Sequence, residues 1–346
     1  MTSLPRRRFL RTTVTAGIGL GTTGCTARDF FSDTRVHFRT EAIGSPPVGL
    51  VKAGIWLVVG GMDGRVVGLD RDDGEVQWEA DAVDDLRVPP VAFDGELYVA
   101  GADLVSVNGA IEQWRTRLPA HASALHAVPE RGAVAVGTED GTVALVDGTN
   151  GERRWQSHLA GGREARVDDF AHGDGVVYAG SRDGALTAFD ARTGAVRWHD
   201  DAVVSAVAAD DTNALAGRRR VYGFRDGERA WTRDTGNNWT VGITGVDPWF
   251  LAGTRMDGEA DVLSLSGDGE RRWRHRLSGD AASLTPVVNG RVVVGVEGDR
   301  PGVREFTVDG DSTWRFETET SVRDVVAGNE RVWAVEANGS VLSLSA

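Results

Sequence analysis

The chain has 346 residues, of which 41% are hydrophobic and 26% are charged. This hydrophobic fraction excludes an intrinsically disordered chain and predicts a sizeable core. The formal net charge is −13, which excludes nucleic acid as the main partner, because phosphate binding needs cationic patches. Cys25 is the single cysteine, so an intramolecular disulfide and a zinc site with several thiolates are excluded as well.

The basic residues are almost all arginine. Lys52 is the only lysine among 38 basic residues, which stand against 51 acidic ones. Acidic, lysine-poor surfaces are typical of salt-loving archaea. The composition therefore favours a halophilic, haloarchaeal source over a high-GC bacterium with an acidic secreted protein.

The N-terminal residues predict an export signal. The residues that resemble a twin-arginine motif are Arg6, Arg7, Phe9 and Leu10. The apolar run that follows, residues 12–24, is too short and too polar to span a bilayer, which needs about 20 apolar residues. We therefore expect residues 1–24 to be a twin-arginine signal peptide.

The same segment ends in a pattern that resembles a lipobox. Small residues precede Cys25, although Thr22 stands where leucine is usual. We expect lipidation of Cys25 and a tether at residues 25–35. Residues 19–24 also satisfy G-x-G-x-x-G, but no strand precedes them as a dinucleotide site requires.

Tryptophan recurs with a period near 40 residues. Seven of the 11 tryptophans stand 33 to 43 residues apart: Trp78, Trp114, Trp155, Trp198, Trp231, Trp273 and Trp314. In a chain rich in valine and glycine this period indicates a β-propeller, in which each four-stranded sheet, or blade, is one repeat. We expect each ring to pack neighbouring blades together rather than to stack on a ligand.

The repeat that ends at Trp198 shows the expected strands and turns most clearly. Residues 176–181 have a strand pattern, and residues 182–184 form a tight hairpin in which glycine accepts a positive φ. Residues 186–189 return as a second strand, and residues 190–194 form a longer turn before the outer strand. The same order recurs along the chain, with insertions confined to turns.

The two ends of the chain decide the blade count. Eight strand–hairpin–strand units occur, and the last, from Val332 to Leu344, has no outer strand. Residues 36–39 carry a strand pattern, so we expect this N-terminal strand to complete the last blade and close the ring. The predicted fold is an all-β, eight-bladed propeller over residues 36–346, or a seven-bladed one if the two ends do not pair.

The repeat resembles that of the quinoprotein (PQQ) family. Its consensus is Val/Tyr-x-Gly-Ser-x-Asp-Gly-x-Leu-x-Ala-x-Asp-x-x-Thr-Gly-x-x-x-Trp, and it covers about residues 36–346. The resemblance implies a tryptophan-docked propeller. It leaves the activity open, because the repeat builds both quinoprotein alcohol dehydrogenases and a non-enzymatic lipoprotein scaffold of bacterial outer-membrane assembly.

The sequence lacks the residues that the resemblance would require of an enzyme. Quinoprotein enzymes use a disulfide between adjacent cysteines, and this chain has one cysteine. Neither a G-x-S-x-G elbow nor an H-E-x-x-H motif occurs, and His121 and His126, the closest histidines, lack a third partner at ligand spacing. We predict no enzyme, no catalytic residue and no cofactor.

Two weaker patterns point to ligands or modification. Residues 70–75 approach a calcium loop, but turn chemistry already explains their acids, so no metal site is predicted. Asn238 and Asn338 begin glycosylation sequons, and the sequence does not decide whether they are used.

Charged residues are concentrated at one end of the predicted propeller. The loops that enter each innermost strand lie there with the inner hairpins, and binding residues concentrate on loops that a rigid scaffold positions. The candidate partner-binding residues are Asp84, Arg87, Arg166, Asp168, Trp239, Arg323 and Asp324. Trp239 stands outside the docking series, and filling the mouth of the core explains it equally well.

These observations predict an exported, membrane-anchored, non-catalytic scaffold that presents this face to a protein or envelope component. We expect a monomer on the outer face of the cytoplasmic membrane, held there by its lipid anchor. Two alternatives remain: a PQQ-dependent oxidoreductase with a degenerate site, and an extracytoplasmic sensor domain.

Overall fold

The structure, a computed structural model, describes residues 35–160, 165–173, 175–210, 213–235, 238–245, 249–255 and 259–346. The side chains of residues 238, 239, 250–252, 254 and 255 are outside this description. The predicted signal peptide, Cys25 and the tether up to residue 34 also lie outside the described residues. The described chain is all-β, as predicted, with 32 strands in eight four-stranded sheets and one helical turn, Pro129–Arg131.

The first four sheets are each built from consecutive strands. Sheet 1 holds β2 (Pro47–Ala53), β3 (Trp56–Gly61), β4 (Arg65–Asp70) and β5 (Val76–Asp81), and sheet 2 holds β6 (Val91–Phe93), β7 (Glu96–Ala100), β8 (Asp103–Asn108) and β9 (Ile111–Arg117). Sheet 3 holds β10 (Ala122–Val128), β11 (Ala133–Thr138), β12 (Thr142–Asp147) and β13 (Arg153–His158), and sheet 4 holds β14 (Asp169–Gly173), β15 (Val176–Ser181), β16 (Ala185–Asp190) and β17 (Val196–Asp200).

Sheets 5 to 7 follow the same order, and sheet 8 differs. Sheet 5 holds β18 (Ala206–Ala209), β19 (Asn213–Gly217), β20 (Arg220–Arg225) and β21 (Glu228–Asp234), and sheet 6 holds β22 (Asn238–Thr244), β23 (Trp249–Arg255), β24 (Glu259–Leu265) and β25 (Arg271–Ser278). Sheet 7 holds β26 (Asp280–Leu284), β27 (Arg291–Glu297), β28 (Gly302–Thr307) and β29 (Ser312–Glu317). Sheet 8 joins β30 (Val322–Ala327), β31 (Arg331–Glu336) and β32 (Ser340–Ser345) to β1 (Val36–Glu41) from the other end of the chain.

The burial of each strand follows its place in the sheet. Every residue of β11 and β15 is buried, because both faces of these second strands pack against neighbouring sheets. The outer strand β13 alternates instead, with Trp155 buried between exposed residues. Hydrophobic and β-branched side chains in the second and third strands therefore form the core between adjacent sheets.

The first strands connect the sheets in a circle. β2, β6, β10, β14, β18, β22, β26 and β30 each contact the next strand in this order, and β30 contacts β2. At the point where the two ends of the chain meet, β1 runs antiparallel to β32, with Val36 opposite Leu344 and Glu41 opposite Ser340. No helix in the described part of the chain is long and apolar enough to cross a membrane.

Candidate functional site

The recurring tryptophans lie in the outer strands, and most of them contact the next sheet. Four indole nitrogens donate hydrogen bonds to backbone carbonyls in the turn between the third and fourth strands of the following sheet, at 2.8 to 3.0 Å. These pairs are Trp114–Gly148, Trp155–Ala191, Trp231–Gly267 and Trp273–Val308. A glycine of the receiving turn also lies against the ring; the pairs are Trp114–Gly151, Trp155–Gly194, Trp198–Gly227, Trp231–Gly269 and Trp273–Gly310.

Trp78 and Trp314 depart from this arrangement. Their indole nitrogens are buried and have no hydrogen-bond partner among the described residues. The turn that faces Trp78, between β8 and β9, has only two residues. The sheet that faces Trp314 has no turn between its third and fourth strands, because these are β32 and β1, from opposite ends of the chain. Arg35 lies over the ring of Trp314 instead, with its guanidinium carbon 5.2 Å from the ring centroid.

In sheet 8 two residues together make the contact with the next sheet that one tryptophan makes in other sheets. Phe38 of β1 lies against Gly74 of sheet 1, where a tryptophan stands in other sheets, and a Cβ on Gly74 would come within 2.3 Å of its ring. The indole nitrogen of Trp333, on β31, lies 3.4 Å from the carbonyl oxygen of Arg71 in the same turn. The sequence pattern predicted neither residue as part of the docking series.

The candidate partner-binding residues lie at one end of the sheets, which we call the loop face. It consists of the connections between consecutive sheets and the hairpins between second and third strands. Backbone hydrogen bonds join these segments: the amide of Ala82 donates to Gly64 at 3.0 Å, and that of Val204 to Ser181 at 2.9 Å. The opposite end, with the remaining turns, is the turn face.

Asp84, Asp85 and Arg87 occupy the connection into sheet 2. Arg87 donates from Nε to Asp85 at 2.8 Å and from Nη1 to Glu139, in the hairpin of sheet 3, at 3.2 Å. The hydrogen bond to Asp85 raises the pKa of the Arg87 guanidinium. Asp84 is exposed beside this group.

Arg166 and Asp168 form a second group with Arg182, from the hairpin of sheet 4. The carboxylate of Asp168 is 3% exposed, and the Nε atoms of Arg166 and Arg182 lie 3.5 and 3.2 Å from it, while both guanidinium side chains are about half exposed. The backbone amide of Arg182 donates to the same carboxylate at 2.7 Å. One buried carboxylate thus orients two exposed guanidinium groups.

Arg323 and Asp324 are adjacent in sequence but separate in space. Arg323 is exposed and donates to Glu297 at 2.8 Å. The carboxylate of Asp324 instead points between sheets, where it accepts hydrogen bonds from the amides of Leu50 at 2.9 Å and Val325 at 2.8 Å. Burial raises the pKa of Asp324 to about 6. Asp324 therefore does not belong to the exposed charges of the loop face.

Asp169 has the same role between sheets 4 and 5. Its carboxylate accepts a hydrogen bond at 2.7 Å from the amide of Val207 in sheet 5, and burial raises its pKa to about 7. The two aspartates lie on first strands and connect sheet 4 to sheet 5 and sheet 8 to sheet 1.

The structure describes only part of the remaining candidates. The backbone of Trp239 lies in β22, opposite Thr254, and its side chain is outside the described residues, as is that of the sequon residue Asn238. Asn338 is exposed in the hairpin of sheet 8, and its side-chain oxygen accepts a hydrogen bond from the amide of Ser340 at 3.0 Å.

Sequence reasoning missed a histidine pair between sheets 3 and 4. His126 Nε2 and His172 Nδ1 are 2.7 Å apart, and His172 Nε2 lies 3.1 Å from Glu130. Burial lowers the pKa of His126 to about 3. No signal in the sequence joins these residues, which are 46 positions apart and meet only because adjacent first strands face each other. Within the described chain, no three His, Cys, Asp or Glu side chains converge as metal ligands.

Two solved structures resemble this fold. The crystal structure of BamB from Moraxella catarrhalis matches with a TM-score of 0.68 and 19% identity, over 89% of this chain and 98% of that one. The crystal structure of the computationally designed Ika8 protein matches with a TM-score of 0.77 and 16% identity, over 90% of this chain and 100% of that one. At these identities the likeness establishes the fold alone.

The sheets and docked rings together define a β-propeller of PQQ-like repeats. The family model PQQ_2, described as outer membrane protein assembly factor BamB, matches residues 35–159, 104–224 and 216–346, and the chain belongs to this family. The predicted resemblance is thereby confirmed. The outer membrane protein assembly factor BamB of Bordetella pertussis (strain Tohama I) is 25% identical over 139 residues, 38% of this chain and 36% of that protein, so this match spans about a third of the relative's length.

Proposed function

We propose that this protein is a non-catalytic scaffold that binds a protein or envelope component through its loop face. The family model and the Bordetella pertussis relative are described as an outer membrane protein assembly factor, and this description supports a non-catalytic binding role.

The group formed by Arg166, Asp168 and Arg182 is the observation that carries the proposal. Side chains that are held in place before binding lose less conformational entropy when a partner arrives. Arginine is also enriched in protein interfaces, where its planar guanidinium makes several hydrogen bonds at once. The buried carboxylate of Asp168 lies against the Nε atoms of both arginines, whose side chains remain about half exposed.

We further propose that the eight sheets are the blades of one closed propeller over residues 36–346. The circle of contacts between first strands and the pairing of β1 with β32 support this count. An ion pair also joins β1 to β31: partly exposed Arg39 lies 3.2 Å from Glu336. The side chain of Glu336 is fully buried and accepts hydrogen bonds from the amides of Glu319 and Thr320.

The proposed anchor sets the orientation of the molecule. We propose residues 1–24 as a twin-arginine signal and Cys25 as the lipidated residue, followed by the tether. Val36 lies opposite Leu344 near the end of β32, so the chain enters the propeller at the turn face. The loop face then points away from the outer surface of the cytoplasmic membrane, where a partner can reach it.

Site-specific photo-crosslinking in the native host tests the binding face. A crosslinking amino acid at position 182, on the loop face, should give one discrete adduct with a membrane-associated partner. The matched control is position 192, an exposed arginine in a turn of the same sheet on the opposite face, which should give none. Equal adducts from both positions, or none from position 182, would reject the loop face as the binding surface.

Two variants test export and anchoring independently of the partner. Cys25→Ser should release the protein from the membrane into the medium, and Arg6→Lys with Arg7→Lys should retain it in the cytoplasm. Membrane retention of the Cys25→Ser protein would contradict the lipid anchor, and normal export of the double variant would contradict the twin-arginine route.

A further inference from the structure

A small cavity opens between sheets 2 and 3 at the turn face. Its volume is about 200 Å³, and its wall includes Phe93, Asp94, Glu96, Tyr98, Trp114 and Thr149. Sites for drug-sized ligands and cofactors occupy roughly 300 to 1,000 Å³, so only a compact molecule fits here. This site is remote from the loop face and independent of the function proposed above.

The residues that line the cavity carry a net negative charge. Asp94 and Glu96 contribute two carboxylates, and no arginine, lysine or histidine is among the residues that line it. The oxygens of Glu96 accept hydrogen bonds from Asn108 at 2.7 Å and Ser106 at 3.2 Å, both neutral donors that orient the carboxylate and leave its charge in place.

Equivalent positions in two other sheets carry the opposite charge. Glu96 begins the second strand of sheet 2, as Arg291 begins that of sheet 7 and Arg331 that of sheet 8. Each of these arginines donates to a backbone carbonyl of the following sheet, Arg291 to Asn329 at 2.6 Å and Arg331 to Arg71 at 3.0 Å. In sheet 2 a carboxylate stands at the position that these two arginines occupy.

Aromatic rings form the apolar part of the wall. Phe93 stacks on Tyr98 with ring centroids 4.8 Å apart, and Tyr98 lies 5.9 Å from Trp114. Burial raises the pKa of the Tyr98 hydroxyl, and the nearby charges of Glu96, Asp94 and Asp147 raise it further. Aromatic rings together with carboxylates attract alkylammonium cations more than inorganic ions, since the rings contribute cation–π and apolar contact.

We propose that this cavity binds a compact organic ammonium cation, held by the carboxylates of Asp94 and Glu96 against the rings of Phe93, Tyr98 and Trp114. The bound cation occupies the place that a guanidinium group takes in sheets 7 and 8. It lies between two sheets and therefore also connects them.

Titration of the purified protein with tetramethylammonium chloride, at constant total chloride balanced by potassium chloride, tests this proposal. Isothermal calorimetry and saturation-transfer NMR on the methyl protons should report one saturable site per chain. Glu96→Gln, which removes the charge but retains an acceptor, and Phe93→Leu, which removes a ring, should each weaken binding about fivefold or more. Glu96→Arg should abolish it, because the guanidinium then fills the cavity.

The matched control is Glu75→Gln, the same loss of charge at an exposed turn residue of sheet 1, which should bind as the unaltered protein does. Far-UV circular dichroism and thermal unfolding of each variant separate loss of binding from loss of fold. The proposal is overturned if the unaltered protein shows no saturable binding, if folded Glu96→Gln binds equally well, or if potassium competes as strongly as tetramethylammonium.

Discussion

The indole nitrogen of Trp155 lies 3.0 Å from the carbonyl oxygen of Ala191, to which it donates a hydrogen bond across the boundary between sheets 3 and 4. The two residues are 36 positions apart, close to one period of the repeat. The ring also stacks on Phe189, with centroids 5.8 Å apart, and rests against Gly194. One side chain thus joins a sheet to the next by a polar and an apolar contact.

Replacement of Trp155 separates these two contacts. Trp155→Phe keeps an aromatic ring and should lower the free energy of unfolding by about 1 to 2 kcal/mol, because the carbonyl of Ala191 loses its donor. Trp155→Leu also loses most of the ring and should cost about 3 kcal/mol or more. Equilibrium unfolding in guanidinium chloride measures both, and equal losses in the two variants would contradict a role for the ring.

Gly194 tests how closely the ring approaches the next sheet. Its φ is +71°, and a Cβ would lie 2.7 Å from the ring of Trp155, whereas Gly290 has a φ of +72° and open space around it. Gly290→Ala should therefore cost only the backbone strain, about 1 kcal/mol, and Gly194→Ala about 1 to 3 kcal/mol more. Thermal unfolding of the two variants measures the difference in their stability. An equal loss of stability in both would mean that the ring of Trp155 moves away from the new methyl group without cost.

Asp169 predicts a dependence of stability on pH. Its pKa in the folded protein is about 7, above the ordinary value of 3.8, so the folded state binds a proton more tightly than the unfolded state. The resulting stabilisation is complete below pH 4 and is lost as the pH rises through 7. Unfolding measured between pH 4 and 8 should therefore show the unaltered protein losing about 1 kcal/mol or more relative to Asp169→Asn.

The difference between the two proteins isolates Asp169, because the histidines titrate in both. His126, with its lowered pKa, contributes the opposite slope between about pH 3 and 6.5 and cancels in the comparison. Asparagine retains an acceptor for the amide of Val207, so the variant should fold normally. Parallel stability curves for the two proteins would show that Asp169 titrates as it does in the unfolded chain.

Phe38 tests whether the N-terminal strand holds the propeller together. Its ring is 9% exposed and lies against Gly74, so Phe38→Ala should cost about 3 to 5 kcal/mol. Glu41→Ala is the control, since this residue at the other end of β1 is exposed and should change stability by less than about 0.5 kcal/mol. Protection of β32 amides from hydrogen exchange should fall in Phe38→Ala alone, and unchanged protection would place the closing contact elsewhere.

The repeat could be predicted because its signals are local. Runs of hydrophobic residues in the inner strands, glycine at hairpins and one tryptophan per outer strand depend on neighbours within a few positions, and residues 176–198 show all three. The docking role of Phe38 was not predicted, because this residue takes the place of a docking tryptophan only once β1 pairs with β32. Asp324 was placed among exposed loop charges, since its sequence neighbour Arg323 is exposed, yet the strand turns the aspartate towards Leu50.

By itself, the amino-acid sequence determined that this protein is all-β and that it is built of tryptophan-bearing repeats. It also determined where strands and turns alternate, because the backbone preferences of strand and turn residues act over short stretches of chain. Only the tertiary structure decided which side chains meet. Asp324 bonds to the amide of Leu50 across 274 positions, and His126 faces His172 across 46. Such pairs depend on how whole sheets stand beside one another, and that arrangement results from the packing of every sheet face at once.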